Sequence, residues 1–328
     1  MEELTLRLFL KKYKFLLLFL SFLIPSLSLF GLSELISSSK VSRNIDYYTV
    51  KKGQSFYTLI EDFSLSHFEK FLLKIYLKRN KLDIAQSGYY YLSGQSWKDF
   101  FNSISIGNVV IFKLEIPSGK NLYEIEKIIL SSNLTHDCTG FKCLNTKYDF
   151  IEGTIKPDTY FYKYSMLSSK ILKKSQTDFF EIATKMWSKR HPETPLNNLA
   201  DAIILASIVE KEAGNKNEMP VIAGVFLHRL SIDMKLQADP TIIYGLLPNF
   251  NGDITKANIK DKNNVYNTYQ IKGLPPTPIS TISKTSLEAV ILGEKNDYLY
   301  FVAKGDGTHY FSKTYEEHLR AVKKYQLN

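Results

Sequence analysis

The chain has 328 residues, of which 44% are hydrophobic and 23% charged. This ordinary globular composition excludes a fibrous or disordered protein and suffices for one large domain or two smaller ones. The formal charge of +9 is spread along the chain, and no DNA or RNA recognition motif accompanies it, which argues against a nucleic-acid partner. A solvated basic surface, or an acidic partner such as anionic lipid or wall polymer, fits this charge.

The N-terminal part carries one apolar segment, residues 15–32 (FLLLFLSFLIPSLSLFGL), without a charge. Eighteen residues are just enough for a helix to cross a hydrocarbon core. Four basic residues precede the segment, whereas only Lys40 and Arg43 follow it before the predicted folded part. This asymmetry places residues 1–14 in the cytoplasm and the rest of the chain outside, at the cell (inner) membrane.

The same segment could be a cleaved signal peptide or an uncleaved anchor. No small-x-small cleavage site precedes Gly31, and Ile24-Pro25 interrupts the apolar run, so we favour a single-pass transmembrane anchor. A lipoprotein is excluded because no Cys directly follows the segment. Residues 33–44 are rich in Ser and polar, which is typical of a linker.

A compact module is predicted over residues 45–118. Its first part, YYTVKKGQSFYTLIEDF (47–63), predicts a strand, a turn at Gly53 and an amphipathic helix. The same order recurs weakly in residues 112–130, with a turn at Gly119.

The first copy resembles the LysM peptidoglycan-binding module. Its Y-x-V-x-x-G-x-S/T-x-x-x-I pattern matches Tyr48, Val50, Gly53, Ser55 and Ile60, the last residue being spaced one position long. The resemblance implies affinity for chains that contain N-acetylglucosamine. A generic strand-turn-helix packing unit remains the alternative.

The two cysteines of the chain, Cys138 and Cys143, lie in HDCTGFKCLN. Outside the cytoplasm a short-loop disulfide is permitted, and Gly140 would ease the turn. Two free thiols are equally compatible with the spacing. A metal site is disfavoured, because a C-x4-C pair without partnered histidines is a weak metal signal.

The second half of the chain predicts longer helices. We expect a helix over 177–189, then one over 199–213 with Asn198 as its N-cap and Gly214 as its C-cap, and another opening at Pro220. YLYFVAKGDGTHYF (298–311) predicts a β-hairpin that turns at Gly305 to Gly307.

Two glutamates, Glu210 and Glu212, end the helix of residues 199–213. At about 100° per residue they project about 200° apart, so they cannot share an environment. The apolar stripe of that helix predicts that Glu212 points from its buried face, where burial and the negative helix end both raise the pKa of a carboxyl. A general acid needs this property. Alternatively, Glu212 points to water beside Gly214 while Glu210 pairs with a nearby Lys.

Four motifs occur in order: ASIVEKEAG, LQADPTIIYGL, YNTYQIKGLPPTPIS and YLYFVAKGDGTHYF. Together they resemble the YceG-like endolytic murein transglycosylases, the MltG family, over residues 152–320. The resemblance implies that the second glutamate of E-K-E, here Glu212, is the catalytic acid, and we assign residues 119–328 to that domain. It also implies cleavage of the β-1,4 bond between N-acetylmuramic acid and N-acetylglucosamine in nascent strands, with 1,6-anhydro ends and no metal or cofactor.

The remaining candidate site residues would bind substrate. Gln237 and Asp239 offer an amide and a carboxylate for sugar hydroxyls and acetamides, although they could merely belong to a loop that caps the next helix. Tyr266 and Tyr269 could stack on sugars while Asn267 binds an N-acetyl group, and buried structural tyrosines are the alternative.

Two further residues are placed with this set. His309 in the predicted hairpin is a substrate-binding candidate, although a lone strand histidine is more often structural. Glu210, two positions before the proposed acid, is also counted among the substrate-binding residues, whereas His318 in the final helix is expected to be structural.

The sequence therefore predicts an α+β protein with one transmembrane helix, a small LysM-like module and a larger catalytic domain. Its predicted function is a membrane-anchored lytic transglycosylase, whose partners are peptidoglycan glycan strands, the membrane and, by family resemblance, penicillin-binding synthases. A noncatalytic wall-binding scaffold and a muramidase-type hydrolase with two carboxylates, the second being Asp239, are the alternatives.

Overall fold

The computed structural model describes residues 2–41, 46–250, 252–293 and 296–327. Backbone contacts divide the chain into two compact units, residues 1–112 and residues 113–328. Both units contain helices, and the described strands form three separate two-stranded sheets. The predicted α+β class is confirmed.

The first helix, α1 (Glu2–Ser38), contains the whole apolar segment and continues beyond it. Its part from Lys12 to Ser38 is long and apolar enough to cross a membrane, a property that signal sequences share. Residues 33–38, predicted as part of a linker, are helical, and Ser33 and Ser37 are fully buried. Residues 42–45, the rest of that predicted linker, lie outside the described residues.

The remainder of the first unit follows the order strand, helix, helix, strand, helix. Its elements are β1 (Tyr47–Val50), α2 (Phe56–Glu61), α3 (His67–Arg79), β2 (Gly88–Tyr91) and α4 (Trp97–Ser105). The antiparallel strands β1 and β2 pair Tyr47 with Tyr91. A left-handed Gly53, at φ 81°, makes the predicted turn, and the predicted strand-turn-helix is confirmed.

The core of this unit is aromatic. Trp97, Phe100 and Phe101 of α4 are buried against Phe56 and Tyr90. The end of α1 joins the unit through Arg79, which forms an ion pair with Glu34 and stacks on the ring of Phe30. The last turns of α1 therefore pack against this unit.

The second unit begins with a second strand-turn-helix, as predicted. β3 (Ile111–Ile116) leads through a left-handed Gly119 into α5 (Leu122–Leu130), and β3 pairs with β4 (Asp158–Lys163). Between them, a short 3-10 turn lies in a loop that is closed by a disulfide bond between Cys138 and Cys143. Of the two possibilities open in the sequence, the structure has the disulfide.

Helices form most of the second unit, and a hairpin and a last helix complete it. They are α6 (Ser168–Trp187), α7 (Leu199–Glu212), α8 (Met219–Ser231), α9 (Asp239–Gly245), α10 (Lys256–Lys260), α11 (Lys284–Leu292), β5 (Tyr300–Ala303), β6 (His309–Ser312) and α12 (Tyr315–Gln326). The core of the unit lies where α7 packs on α8 and α11.

The helix predictions are mostly confirmed, with two differences. α6 begins nine residues before the predicted Thr177, because its polar first turns lack a side-chain cap that would mark the start. α7 ends at Glu212, and its C-cap is Ala213 in an extended conformation, so the prediction that Gly214 is the C-cap is wrong. The hairpin turns at Gly305 and Gly307, as predicted.

Candidate active site

Helix α7 carries the proposed acid at its last position. The Asn198 side chain accepts a hydrogen bond from Asp201 N at 3.0 Å, which confirms the predicted N-cap. Every residue from Ala202 to Val209 is buried, so α7 is a central core helix without the solvent-facing side that the stripe analysis assumed. A carboxyl at its end is therefore held by a rigid element.

Glu212 faces a cavity of about 440 Å³ in the second unit. The polar lining comes from the ends of several elements of this unit, and its members include Arg229, Gln237, Asp239, Tyr269, Tyr300, His309, Tyr315 and His318. Polar groups that converge on a concave cavity are the usual arrangement of a ligand site.

The environment of Glu212 favours its protonated form. Protein atoms crowd the carboxyl on most sides, while the cavity leaves the side chain half-buried. This desolvation, and secondarily the negative charge of Asp239, raise the pKa of Glu212 to about 8, against the opposing charge of Arg229. Glu212 accepts no hydrogen bond from any residue that the structure describes.

Arg229 of α8 supplies a buried positive charge beside this carboxyl. The side chain is 6% exposed, and its guanidinium donates from Nε to Leu299 O at 2.7 Å and from Nη1 to Leu236 O at 2.5 Å. Burial lowers the pKa of Arg229, but a guanidinium keeps its proton in proteins. Arg229 thus joins the hairpin to the loop before α9 and places a fixed cation near Glu212.

Asp239, Tyr269 and Gln237 are brought together at the start of α9. Tyr269 donates from its hydroxyl to Asp239 Oδ1 at 2.8 Å, and the backbone amide of Gln237 donates to Thr268 O at 3.2 Å. Gln237 itself has a left-handed φ of 52°, and its side chain is exposed at the cavity. These polar groups face the same space as Glu212.

His309 also lines the cavity, with one ring nitrogen already engaged. Its Nδ1 lies 2.8 Å from Glu218 Oε2, and its backbone amide donates to Glu218 Oε1 at 3.0 Å. The contact orients the imidazole and leaves Nε2 as the nitrogen available to a ligand.

Three of the predicted substrate-binding residues do not line this cavity. Glu210 Oε2 accepts hydrogen bonds from Ser283 N at 2.9 Å and Ser283 Oγ at 2.6 Å, at the first turn of α11. Asn267 is fully buried and donates to three backbone carbonyls. Tyr266 bonds Thr277 Oγ1 at 2.8 Å. All three hold loops and helices together. For Tyr266 this is the structural alternative given above, whereas Glu210 binds Ser283 and not the nearby Lys that its alternative proposed.

The cavity residues that sequence reasoning did not assign to the site include Arg229, Tyr300 and Tyr315, and also His318, which was expected to be structural. A signal existed for Arg229, because it follows Val225 and Phe226 by four and three residues and so occupies a core-facing position of α8. The other three come from β5 and α12, whose approach to Glu212 is a tertiary feature without a local signal. No cluster of three or more metal-ligating side chains occurs among the described residues.

Comparisons with known proteins point to one family. The family model described as "YceG-like family" matches residues 48–324. An endolytic murein transglycosylase of Bacillus subtilis (strain 168) is 41% identical over 123 residues, which are 38% of this chain and 34% of that relative. One of Streptococcus pneumoniae serotype 2 (strain D39) is 32% identical over 178 residues, 52% of this chain and 32% of that relative.

The match thus covers about a third of the length of each of these two relatives. Among solved structures, the yceG-like protein lmo1499 of Listeria monocytogenes superimposes with a TM-score of 0.56 at 28% identity. That superposition covers 84% of this chain and 97% of the other. Since the family model spans most of the chain and a large part of each compact unit, this protein belongs to the YceG-like family.

Proposed function

We propose that this protein is an endolytic lytic transglycosylase that cleaves the glycan strands of peptidoglycan. The observation that carries the proposal is a carboxyl, Glu212, at the wall of a polar cavity, whose pKa desolvation raises to about 8. The named relatives, both endolytic murein transglycosylases, point to the same substrate class.

In the proposed reaction, Glu212 first acts as a general acid. It protonates the glycosidic oxygen between N-acetylmuramic acid and N-acetylglucosamine, and the C–O bond to the anomeric carbon breaks as positive charge develops on the sugar ring. Glu212, now a carboxylate, removes the proton of the muramyl 6-hydroxyl while that oxygen attacks the anomeric carbon. The products are a 1,6-anhydro end and a free 4-hydroxyl, and Glu212 regains its proton.

Two neighbours would assist the two halves of this cycle. Asp239 favours the protonated acid before the bond breaks, because its negative charge raises the pKa of Glu212. Arg229 opposes that shift and stabilises the carboxylate that forms once the proton has left. Glu212 can therefore alternate between its two forms at a modest free-energy cost.

A hydrolase with two carboxylates is the second candidate, and one observation favours it. Asp239 lines the same cavity as Glu212, so it could activate water in place of the 6-hydroxyl. Tyr269 donates to its Oδ1, and no residue that the structure describes donates to its other oxygen.

Analysis of the products separates these candidates. Purified protein is incubated with nascent, uncrosslinked glycan, and the new ends are identified by mass spectrometry. A transglycosylase produces 1,6-anhydro ends, whereas a hydrolase produces reducing ends one water heavier. If wild type and Glu212→Gln leave the glycan equally intact, the noncatalytic scaffold is the better account.

The proposal also covers location. We infer that α1 anchors the protein in the cell membrane with the second unit outside the cytoplasm, supported by its 27-residue apolar part and the basic residues before it. A reporter enzyme that is active only outside the cytoplasm should be active when it is fused after Ser64 and when it is fused at the C-terminus. Activity of a second reporter, one that works only inside the cytoplasm, at either place would contradict this orientation.

The first unit is proposed as the part that holds glycan close to the membrane. Its LysM-like motif lies in β1, the Gly53 turn and α2. Along the chain, α2 and α3 lie between the paired strands β1 and β2. Glycan pull-down with the full chain tests this role, because Ser55 and Gly53 variants should retain less glycan than wild type. Crosslinking to penicillin-binding synthases would test the partnership that the resemblance implies.

A further inference from the structure

Three aromatic side chains form one wall of the Glu212 cavity. Tyr300 comes from β5, whereas Tyr315 and His318 come from α12. The Tyr300 centroid lies 5.2 Å from that of His318 and 5.8 Å from that of Tyr315. The three rings therefore form a continuous aromatic surface beside the proposed acid.

Two of these rings are fixed by their neighbours. Tyr300 and His318 are stacked with 22° between their planes, and the guanidinium carbon of Arg229 lies 5.5 Å from the Tyr300 centroid. Burial, and next the charge of Arg229, lower the pKa of His318. An uncharged imidazole packed on a phenol gives the wall an apolar base.

Tyr315 differs because it is 55% exposed as a residue while its backbone is held in place. It is the first residue of α12, directly after the N-cap Thr314. Thr314 Oγ accepts from Glu317 N at 3.2 Å, and a Glu317 carboxylate oxygen accepts from Thr314 N at 3.3 Å. This capping box fixes the helix start, so the ring is presented at little conformational cost on binding.

We propose that Tyr315, backed by Tyr300 and His318, is a sugar-stacking subsite for an N-acetylated amino sugar of the glycan strand. A pyranose ring has one face of C–H groups and a rim of hydroxyls, which matches an aromatic ring beside polar side chains such as Gln237 and Asp239. The subsite rests on the proposed function, since it assumes a glycan strand across Glu212. It would hold one sugar and so align the scissile bond with the acid.

The test measures binding apart from chemistry. A β-1,4-linked N-acetylglucosamine tetramer is titrated calorimetrically into the full chain carrying Glu212→Gln, which serves as the non-cleaving parent. Adding Tyr315→Ala should weaken binding about tenfold, whereas Tyr315→Phe should bind within about twofold of the parent because it keeps the ring.

Tyr310 provides a matched control. It is an exposed tyrosine on β6, 44% accessible, and it lines a different pocket beside Tyr325. Tyr310→Ala in the same parent should bind the tetramer as the parent does. Thermal unfolding of each variant shows whether its fold is retained, and Tyr315→Phe covers the case in which Tyr315→Ala is misfolded.

Three results would overturn the subsite: no tetramer binding by the parent, equal binding by the parent and a folded Tyr315→Ala, or an equal loss in Tyr310→Ala. The proposed chemistry is assayed separately by anhydro-end formation with wild type. Anhydro ends together with normal tetramer binding by Tyr315→Ala would remove the subsite alone. Binding that depends on Tyr315 without any anhydro ends would remove the chemistry and keep the subsite.

Discussion

Two regions of the second unit each surround a carboxyl whose pKa is raised by burial, yet only one of them supplies hydrogen-bond donors to its carboxyl. Glu152 is 3% exposed, and burial raises its pKa to about 7. Its Oε2 accepts from Leu122 N and from the Tyr244 hydroxyl, each at 3.0 Å. Glu212 has a pKa raised to about 8 by the same cause, but no described residue donates to it.

This difference separates a structural carboxyl from one that is suited to chemistry. Glu152 has its lone pairs used by the first turn of α5 and by α9, so it joins two helices and has no face for substrate. Glu212 has its lone pairs open to a cavity. A raised pKa alone would rank the two equally, and the hydrogen bonds decide between them.

The largest expected effect is on the rate of glycan cleavage. Glu212→Gln should lower kcat about 10³-fold, because an amide cannot donate a proton as a general acid. Glu152→Gln, the matched control at the other buried carboxyl, should keep the activity per folded molecule within about threefold. Anhydro-end formation measures both variants, and equal losses would show that the two carboxyls are not distinguished as we describe.

The next effect is on stability, and here the substitution at Glu152 should have a larger effect than the one at Glu212. Glu152→Ala should lower the free energy of unfolding by about 3 kcal/mol, because the Leu122 amide and the Tyr244 hydroxyl lose a buried acceptor. Glu212→Ala should cost much less, since no described donor loses its partner. Urea unfolding at pH 6 compares them, and a larger loss in Glu212→Ala would contradict the comparison.

A smaller effect concerns the pH dependence of stability. Because the folded state raises the pKa of Glu212 from 4.5 to about 8, it holds a proton that the unfolded state has lost between these values. The contribution of Glu212 to the free energy of unfolding is therefore fully present below pH 4.5 and is lost as the pH rises through 8. Glu212→Gln should remove this part of the decline, so that its free energy of unfolding falls less than that of wild type between pH 5 and pH 9. Urea unfolding at several pH values measures this, and an equal pH dependence of the unfolding free energy in the two proteins would contradict the prediction.

The smallest expected effect is a shift of the pH profile. Activity of wild type should fall as the pH rises above about 8, where Glu212 loses its proton. Asp239→Asn should move this alkaline limb to lower pH, because it removes the charge that raises the pKa of Glu212. Tyr269→Phe keeps that charge and is the control. An unmoved limb in Asp239→Asn would show that Asp239 does not act on the acid.

Local signals in the sequence predicted the elements that carry the site. The Asn198 cap, the opening of α8 near Pro220 and the Gly-rich hairpin turn are all determined by neighbouring residues. Periodicity also separated Glu210 from Glu212, and the two carboxyls indeed face different surroundings.

What could not be predicted depends on packing between distant segments. Glu210 was counted among the substrate-binding residues, but α11 covers that side of α7 and Ser283 binds the carboxylate. Asn267 has a side-chain amide that could bind a sugar, yet its Nδ2 donates to backbone carbonyls of residues 258, 259 and 261. In the same way, α12 brings Tyr315 to Glu212 from more than a hundred positions away along the chain.

Direct titration of Glu212 in the folded protein is the most direct test of the account. Carboxyl carbons are labelled with ¹³C-glutamate, and the Glu212 signal is assigned by its absence in Glu212→Gln. We predict that this signal titrates with a pKa of about 8. A pKa near 4.5, the ordinary value of a glutamate, would mean that Glu212 is ionised at neutral pH and cannot be the general acid.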